Sequence, residues 1–406
     1  MKILIVNKFY YPRGGDCVVA MSLEQMLKAH GHEVAVLAMS YHENCDSAWM
    51  GYFPANVDFS QGGVAGKISA LKRVFGFGDV RKRTEQLLRD FRPDVMHLHN
   101  VHSYLSPVVA QIAKRMNIPV VWTMHDYKLV CPSYSCRVGD NICDQCIGHS
   151  KISVLKTRCM KGSLAGSAIA WLEAMWWHKK KLQRATNAFV CPSAFMASQL
   201  AADGFDKAKL RVLPNFVDAE KVAKFTAERI AHERKPYFCY VGRLSAEKGV
   251  RTLLEAFAAM PQQRIKVAGT GPLDEELRKK FGDCANIEFL GRLNADEVAE
   301  LLLNSWASVM PSECFENNPL GVIESLCAGT PVIGAKIGGI PELIDSQECG
   351  IAFESGSKEG LMQAVEQCAV QRWDNAKIAE QAQVRFSQEK HYQDLMTIYG
   401  EFSSAN

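Results

Sequence analysis

The sequence predicts an α/β protein made of two doubly wound halves, each a parallel sheet covered by helices, which face a central cleft. Short apolar strands alternate with helical segments along nearly the whole chain, which is the pattern of repeated βαβ units. The connections within these units are short, which favours parallel strands. A charged stretch without strand signals, 216–235, separates two such runs, and 406 residues suit about two domains.

The first half opens on a βαβ unit. A buried strand is predicted at 2–7, a helix at 16–32 and a second strand at 33–39. Gly14 and Gly15 end the loop between the first strand and the helix, where doubly wound sheets bind ligands. The loop lacks the G-x-G-x-x-G spacing, and no acidic residue is clearly placed for a ribose, so the sequence does not favour a nicotinamide site.

The rest of the first half continues the alternation. Residues 50–78 are Gly-rich, aromatic and aperiodic, and they are predicted as loop with short helices. Further strands are predicted at 94–100, 119–127, 187–193 and 209–215. In the first of these strands, His97 and His99 share one face at strand period. They could form a metal pair, but no third ligand lies nearby in the sequence.

The second half repeats the pattern after the charged stretch. Its strands are predicted at 236–242, 264–269, 286–291, 306–311, 330–334 and 350–353. Near the end of the chain, apolar residues at helical spacing predict a last helix. The predicted divisions are an N-terminal domain at 1–215, a linker at 216–235, a C-terminal domain at 236–384 and a closing helix at 385–406.

One stretch of the second half places two carboxylates around a helix start. Asn318 is a good N-cap and Pro319 suits the first helical position, so a helix is predicted at 319–328. Glu316 then lies in the loop before the helix, and Glu324 lies in its second turn. The free N–H groups of the first turn would favour an anion between them. The alternative is that the two glutamates are a loop carboxylate and a solvated helix residue.

Neighbouring turns add cations and glycines. Arg243 and Lys248 lie in a glycine-bounded loop between a strand and a helix, where they would either neutralise a diphosphate or be solvated. Gly269 and Gly271 form another strand-to-helix turn, and a Gly-Gly pair at 338–339 precedes a further short helix. Together these features fit a nucleotide diphosphate sugar. The chain contains no Asp-x-Asp, so cations and helix dipoles would stabilise the leaving group without a divalent metal.

These elements resemble the family 4 glycosyltransferases, which are retaining enzymes with the GT-B fold of two Rossmann-like domains. The resemblance covers nearly the whole chain. It is carried, in family order, by GGD, DVMHLHN, MHDY, CPSAF, LPNFVD, VGRLSAEKG, AGTGP, FLGRL, FENNPLGVIESLCAGTPVIG and GGIPELI. It implies transfer of a sugar from a nucleotide diphosphate donor, of UDP or GDP type, to a hydroxyl group. It also implies that the closing helix crosses back to the N-terminal domain.

The resemblance assigns roles to residues. The implied catalytic residues are His125, Arg243, Lys248 and Glu316. The two cations would bind the diphosphate, Glu316 would bind the donor sugar, and His125 would lie near the anomeric carbon. The implied donor-binding residues are Gly14, Gly15, Gly242, Gly269, Gly271, Leu290, Arg292, Asn317, Asn318, Pro319, Leu320 and, at the ribose, Glu324. The acceptor-side candidates are His97, His99, Asn100, Asp126 and Tyr127.

The sequence departs from the family at 317–319, which reads Asn-Asn-Pro where many members carry a Gly-Phe-Gly-type sequence. Since these backbone groups face the sugar in the family, the departure would alter donor preference. No protein nucleophile is evident, and Glu316 suits a hydroxyl acceptor better than the nucleophile of a two-carboxylate glycosidase. Front-side attack by the acceptor hydroxyl, with retention, is therefore expected. Two other functions stay open, a non-catalytic nucleotide-sugar-binding subunit and a nucleotide-sugar epimerase of the same fold.

A basic and aromatic stretch at 151–184 concerns the acceptor. Its inner cations are Lys156, Arg158, Lys161, Lys179, Lys180 and Lys181, opposed only by Glu173. An apolar run within it carries Trp171, Trp176 and Trp177. Tryptophan and lysine together suit a membrane interface, so peripheral membrane contact and a lipid-linked acceptor of surface polysaccharide assembly are expected. The alternative is an amphipathic helix packed on the first domain, with a solvated lysine cluster at its end.

Composition argues against other classes of protein. Hydrophobic content of 48% and charged content of 22% are ordinary for a globular protein, and a net charge of +3 is too small to suggest a nucleic-acid binder. No apolar run approaches the roughly 20 residues that span a bilayer. Because the N-terminus runs directly into a strand, no export signal is expected, and the protein is expected in the cytoplasm or at the inner face of the membrane.

Fourteen cysteines would then lie in a reducing compartment. Cys131, Cys143, Cys146 and Cys159 have the spacing C-x11-C-x2-C-x12-C and are a candidate structural zinc site. Cys136 is either a spare thiol or an alternative ligand. The alternatives to zinc are four reduced, partly buried cysteines and, third, a disulfide. No cofactor is expected for catalysis.

Overall fold

The protein is described by a computed structural model that covers residues 1–57, 64–229 and 234–403. The chain folds into two compact units. Unit 1 comprises Met1–Gly139, Cys143–Leu213 and Tyr392–Asn406, and unit 2 comprises Asp140–Ile142 and Pro214–His391. No helix within the covered ranges is long and apolar enough to cross a bilayer.

The first part of the chain alternates strands and helices as the sequence predicts. Short 3-10 helices lie at Met50–Tyr52 and Lys207–Lys209. The other elements are β1 (Lys2–Val6), α1 (Gly15–Ala29), β2 (Glu33–Leu37), α2 (Val64–Val74), α3 (Asp79–Phe91), β3 (Val95–Leu98), α4 (Val108–Arg115), β4 (Val120–Thr123), β5 (Arg137–Val138), β6 (Asn141–Ile142), α5 (Ser153–Thr157), α6 (Leu164–Trp176), α7 (Lys179–Ala185), β7 (Ala188–Cys191), α8 (Ala194–Ala202) and β8 (Leu210–Val212).

The sheet of unit 1 has the strand order β2-β1-β3-β4-β7-β8 with parallel pairing throughout. Its inner strands are continuous apolar runs that are buried along their length, because helices cover a parallel sheet. In the register, Leu4 of β1 lies between Ala35 of β2 and Met96 of β3. The chain therefore builds outward in both directions from β1. The loops that follow β1 and β3 diverge at this point, which is the ligand-binding position of such sheets.

The second part of the chain supplies the other sheet, with a short 3-10 helix at Ala246–Lys248. Its elements are α9 (Ala219–Arg229), β9 (Phe238–Val241), α10 (Val250–Ala258), β10 (Ile265–Ala268), α11 (Asp274–Phe281), β11 (Ile287–Gly291), α12 (Ala295–Asn304), β12 (Ala307–Met310), α13 (Leu320–Cys327), β13 (Val332–Ala335), α14 (Ile340–Leu343), β14 (Gly350–Phe353), α15 (Lys358–Val370), α16 (Asn375–Arg385) and α17 (Gln388–Ser403).

The sheet of unit 2 has the order β11-β10-β9-β12-β13-β14 and is also parallel throughout. The chain builds outward from β9, so the loops after β9 and β12 flank the point where the strand order reverses. One apolar core fills the unit and includes Phe238, Tyr240 and Phe257. Two doubly wound parallel sheets are what the strand pattern predicts, and this fold class is confirmed.

The segment 216–235, expected to be a linker, contains structure of its own. Helix α9 lies within it and belongs to unit 2, where Phe225 is fully buried in the core. Val222 packs partly buried against the same core, one turn before Phe225. Because charged residues surround this apolar pair, the sequence pattern does not reveal that it forms one face of a helix. This part of unit 2 begins at Pro214 instead of at residue 236. Residues 230–233 of the predicted linker lie outside the described ranges.

The closing helix α17 starts at Gln388, and from Tyr392 onward it is part of unit 1. The Tyr392 ring stacks on His30 with 3.6 Å between ring centroids. Leu395 and Tyr399 are completely buried, and a hydrogen bond of 2.5 Å joins the Tyr399 hydroxyl to Nδ1 of His97. The last helix thus completes the core of the unit that the first strand begins. Residues 404–406 of the predicted closing helix lie outside the described ranges.

Leu395→Ala should destabilise unit 1 by about 2–5 kcal/mol, because it leaves a cavity beneath a helix that supplies part of the core. Thr397→Ala on the exposed side of α17 is the matched control, and a change within about 0.5 kcal/mol is expected for it. Denaturant unfolding of both variants measures the difference. Equal midpoints for the two variants would contradict the packing of α17 on this unit.

Candidate active site

The strand reversal of unit 2 brings two predicted catalytic residues together. Lys248 lies in the loop after β9, and Glu316 lies in the loop after β12. Lys248 Nζ is 2.6 Å from Glu316 Oε1, although the residues are 68 positions apart in the chain. Ser312 donates a hydrogen bond of 2.7 Å to the same carboxylate oxygen. The pair therefore stands at the edge of the sheet where a ligand would bind.

Neighbouring groups keep the Lys248 ammonium charged. Burial alone would lower the pKa of Lys248, but the Glu316 carboxylate, Cys314 and Glu247 more than compensate, so the pKa is raised above its ordinary value. The Lys248 side chain is 32% exposed and that of Glu316 only 12%. At neutral pH the loop thus presents an ammonium group beside a carboxylate, which can contact a phosphate and a hydroxyl at the same time.

Two glycines with positive φ allow the loops to pack this closely. Gly249 has φ +67°, and a Cβ there would lie 1.8 Å from the Pro311 carbonyl oxygen. Gly338 has φ +58°, and its Cβ would lie 2.1 Å from the Glu316 carbonyl oxygen. The same oxygen accepts a hydrogen bond of 2.7 Å from the Gly339 amide. The loop after β13 thereby fixes the backbone that carries Glu316.

The helix after Glu316 starts one residue later than the sequence predicts. Helix α13 begins at Leu320, and Pro319 occupies the N-cap position with φ −68° and ψ 120°. Asn318 does not cap the helix. Its side-chain oxygen accepts a hydrogen bond from the Asn215 amide, and its carbonyl oxygen accepts one from the Asn215 side chain, each 2.8 Å long. A nearly buried asparagine is used here to tie two chain segments, which outweighs its capping preference.

The ribose candidate Glu324 lies in the second turn of α13, as predicted, but it has a partner that the sequence reasoning missed. Lys221 of α9 places Nζ 2.6 Å from Glu324 Oε1. Lys221 falls in the stretch expected to be a linker. Because that stretch was not predicted to be a helix, the contact of Lys221 with Glu324 was missed. The second oxygen of the Glu324 carboxylate can still accept hydrogen bonds from hydroxyl groups.

The other predicted donor residues of unit 2 lie at the same edge of the sheet. Leu290 is in β11, Leu320 is the first residue of α13, and the others are in loops. Arg243 is exposed directly after β9, and Arg292 is exposed after β11. Leu290, Asn317 and Leu320 are half-buried. The remaining glycines, Gly242, Gly269 and Gly271, lie where the loops after β9 and β10 pack backbone against backbone.

In unit 1, the strand reversal gathers polar groups of which the sequence reasoning missed Lys8 and Asp16. The Asn100 side chain donates a hydrogen bond of 2.6 Å to Asp16 Oδ2, and Lys8 Nζ lies 4.0 Å from the same oxygen. Burial would raise the pKa of Asp16, but Lys8, His125 and Asn100 lower it below its ordinary value. Asp16 follows Gly14 and Gly15, which are exposed at the start of α1. The GGD triplet was the available signal.

The predicted histidines form a stack on neighbouring strands. Nδ1 of His99 shares a hydrogen bond of 2.8 Å with Nε2 of His125, and the His97 and His99 rings stack at 4.6 Å. Burial lowers the pKa of His125, although the carboxylates of Asp16 and Asp126 oppose this shift. His125 is therefore neutral at pH 7 and acts as a hydrogen-bonding group.

Four of the five candidates for the acceptor side are buried in the unit, namely His97, His99, Asn100 and Tyr127. His97 is 2% exposed, and its second ring nitrogen bonds Thr123 Oγ1 at 2.7 Å, so the structure places it in the core instead of at a ligand surface. Tyr127 is likewise buried. Asp126 beside it is half-buried, and burial raises the pKa of its carboxyl. Because His97 and His99 share one face at strand period, the sequence predicted their contact. It did not predict that His97 is buried.

The cysteines of the candidate zinc site are all free thiols that lie in one loop region of unit 1. The Cys131 and Cys136 thiols share a hydrogen bond, and the Cys143 amide donates one of 2.8 Å to the Cys136 carbonyl oxygen. Cys136, set aside in the sequence as a spare thiol, is thus the partner of Cys131. Among the described residues, no group of three or more His, Cys, Asp or Glu is arranged to hold a metal ion. The four predicted ligands are not preassembled.

Comparisons with known proteins agree with this organisation. The model of Glycosyltransferase Family 4 matches residues 13–221, which is more than half of the chain, and the model of Glycosyl transferases group 1 matches 223–385. A sulfoquinovosyl transferase of Arabidopsis thaliana is 29% identical over 282 residues. The match covers 66% of this chain and 48% of that protein, so the chain spans about half the length of this relative.

Solved structures show the same fold. A sucrose-phosphate synthase from Thermosynechococcus elongatus has a TM-score of 0.70 at 17% identity, over 100% of both chains. HepE of Anabaena, solved in complex with UDP, has a TM-score of 0.65 at 18% identity, over 99% of this chain and 100% of HepE. These likenesses confirm the GT-B fold class, and together with the family matches they lead to one conclusion: the chain belongs to glycosyltransferase family 4.

Proposed function

We propose that the protein transfers a sugar from a UDP- or GDP-sugar to a hydroxyl of a glycan or lipid-linked acceptor, with retention of configuration, in the synthesis of a surface polysaccharide. The observation that carries this proposal is the contact between Lys248 and Glu316 at the strand reversal of unit 2. The UDP complex of the structurally similar HepE supports a nucleotide donor. A partner for a diphosphate and a partner for sugar hydroxyls stand side by side.

Lys248 and the exposed Arg243 would bind the donor diphosphate and stabilise the charge that develops on the departing nucleotide. Fixed cations of this kind make a catalytic divalent metal unnecessary. Glu316, held by Lys248 and Ser312, would accept hydrogen bonds from the sugar. Glu324 would accept them from the ribose. The amide groups of the first turn of α13 would add a positive partial charge near the phosphates.

The way Glu316 is held supports a retaining mechanism that has no covalent intermediate. A carboxylate bonded to an ammonium and a hydroxyl is a stabilised hydrogen-bond acceptor and a poor nucleophile, which disfavours a covalent glycosyl intermediate. The acceptor hydroxyl would then attack on the face from which the nucleotide leaves, and its proton would pass to the departing phosphate. His125, neutral at pH 7, would hydrogen-bond the donor sugar or the acceptor in the family manner.

The donor experiment tests the proposal. Purified protein is incubated with a panel of UDP- and GDP-sugars, with glycan or lipid-extract acceptors, and with or without a chelator. We expect acceptor-dependent release of nucleotide diphosphate, an unchanged anomeric configuration in the NMR spectrum of the product, and no effect of the chelator. Nucleotide-sugar binding without turnover would support a binding subunit, and sugar interconversion without an acceptor would support an epimerase.

Lys248→Ala and Glu316→Ala should each lower the transfer rate by about 10²–10³-fold, because each removes a group that acts on the leaving phosphate or the sugar. The matched controls are Lys336→Ala and Glu354→Ala, which break an exposed ion pair of 2.9 Å in the same unit. Thermal unfolding verifies that all four variants fold. Activity of Lys248→Ala or Glu316→Ala close to that of the controls would contradict the assignment.

We also propose that zinc draws the loop cysteines together as a structural site. Its support is the C-x2-C pair and the contacts among Cys131, Cys136 and Cys143, with Cys146 also buried. Elemental analysis of protein purified without chelators should find about one zinc per chain, and Cys143→Ser should lose it while Cys284→Ser should keep it. Protein without zinc and with freely titratable thiols would reject the site.

A further inference from the structure

Helix α6 in unit 1 has an inverted pattern of exposure. Its apolar side chains Leu164, Ile169, Leu172, Met175 and Trp176 are between 37% and 54% exposed. The side that packs on the unit presents small and polar residues, Ser167, Ala170 and Glu173, all of which are buried. The exposed residues are separated by five, three, three and one positions, which keeps them on one side of the helix as a stripe. A stripe of this size on the outer side of a helix marks an interaction surface.

The buried side of α6 explains why the helix cannot be turned over. Glu173 forms an ion pair of 2.8 Å with Lys128, and Ser103 donates a hydrogen bond of 2.9 Å to the same carboxylate. Both charged side chains are nearly buried. Rotating the helix to hide its apolar stripe would separate this pair and leave buried charges without partners, which is costly. The exposed stripe is therefore enforced by polar contacts beneath it.

A second helix extends the apolar stripe. Ile68 and Leu71 of α2 are exposed, as is Phe77 just after it. The rings of Phe75 and Phe77 lie 5.8 Å and 6.2 Å from the Trp176 ring. The stripe of α6 and the exposed side of α2 thus meet at Trp176. We call the set of Ile68, Leu71, Phe77, Leu172, Met175 and Trp176 the apolar platform; Phe77 and Trp176 join its two helices.

The neighbouring residue Trp177 does not belong to the apolar platform, because its side chain is buried. Trp177 is 5% exposed, and its indole N–H donates a hydrogen bond of 2.8 Å to the Val74 carbonyl oxygen. Trp177 therefore fastens α6 to α2, while Trp176 beside it faces outward. Of these two residues, Trp177 holds the helices together and Trp176 contributes an exposed ring to the platform.

Basic residues border the apolar platform. Lys181 Nζ lies 4.5 Å from the Trp176 ring centroid, and the Arg81 guanidinium lies 5.6 Å from that of Phe77. Lys67 and Lys72 on α2 are exposed. Between 151 and 184 the chain has eight Lys or Arg and one acidic residue, the buried Glu173. Lys180, next to Lys181, is also exposed, whereas Lys151 is paired with Asp203. The border is therefore positive, although the whole chain has a net charge of only +3.

We propose that the apolar platform and its basic border dock unit 1 onto an anionic lipid bilayer. Leu172, Met175 and Trp176 would enter the headgroup and upper acyl region, while the lysines would remain in the aqueous layer and attract acidic headgroups. Charge complementarity selects this occupant. A second copy of the chain would bring one positive border against another, whereas the cytoplasmic lipid surface is negative. The docking does not depend on the proposed donor chemistry.

Vesicle sedimentation of the full chain tests the proposal. Wild-type protein should sediment with vesicles of phosphatidylglycerol and phosphatidylcholine but not with phosphatidylcholine alone. The triple variant Leu172→Ser/Met175→Ser/Trp176→Ser should lose this binding. The matched control is Val370→Ser/Val384→Ser, which removes two exposed apolar residues of unit 2 and should bind like wild type. Lys180→Gln should weaken vesicle binding by about fivefold. Added salt should also weaken vesicle binding, because it screens the attraction between lysines and acidic headgroups.

A second measurement separates loss of docking from loss of folding. Trp176→Phe keeps an apolar ring in the platform, so it should still bind vesicles, but it should remove part of the quenching of tryptophan emission by brominated lipids. Failure of wild-type protein to bind anionic vesicles would overturn the proposal. So would equal binding by the triple variant. Oligomers of wild-type protein in light scattering that the triple variant abolishes would assign the platform to a protein interface instead.

Discussion

The organisation of both units depends on one constraint, the reversal of strand order in a parallel sheet. Right-handed crossovers build outward on either side of a central strand, so two loops that leave neighbouring strands must diverge. In unit 2 this leaves room at the carboxyl ends of β9 and β12, and the Lys248–Glu316 contact fills it. In unit 1 the same geometry joins Asp16 to Asn100, which are 84 positions apart. The strand order therefore determines which loops can form a site, and the side chains of those loops determine its chemistry.

Within that geometry, and under the proposed function, the Lys248–Glu316 contact would determine how a donor is held. The ammonium group already has a partner, so a diphosphate would share Lys248 with Glu316 instead of meeting an unpaired cation. Sharing lowers the cost of desolvating the charges when the site is empty, and it couples the positions of phosphate and sugar. Gly249 and Gly338 make this possible, because any side chain at either position would push the loops apart.

Sequence reasoning predicted the strands well, since buried parallel strands are short apolar runs between turns. It also predicted that Lys248 and Glu316 belong together. It failed where tertiary contacts override local preference. Asn318 is used to hold Asn215 instead of capping α13, and the charged surroundings of Phe225 concealed a core helix. Burial depth is likewise a property of the assembled sheet, so the alternation of a strand shows which residues share a face with His97 but not how deep they lie.

The position of helix α17 has a consequence for how the chain is made. Strand β1 of unit 1 is synthesised before unit 2, yet the core of unit 1 lacks Leu395 and Tyr399 until the chain of unit 2 has been made. The surface beside His97 therefore stays uncovered while unit 2 folds. Nascent chains of this protein should need protection from aggregation until α17 has been synthesised, and termination before Tyr392 would leave the core of unit 1 unfinished.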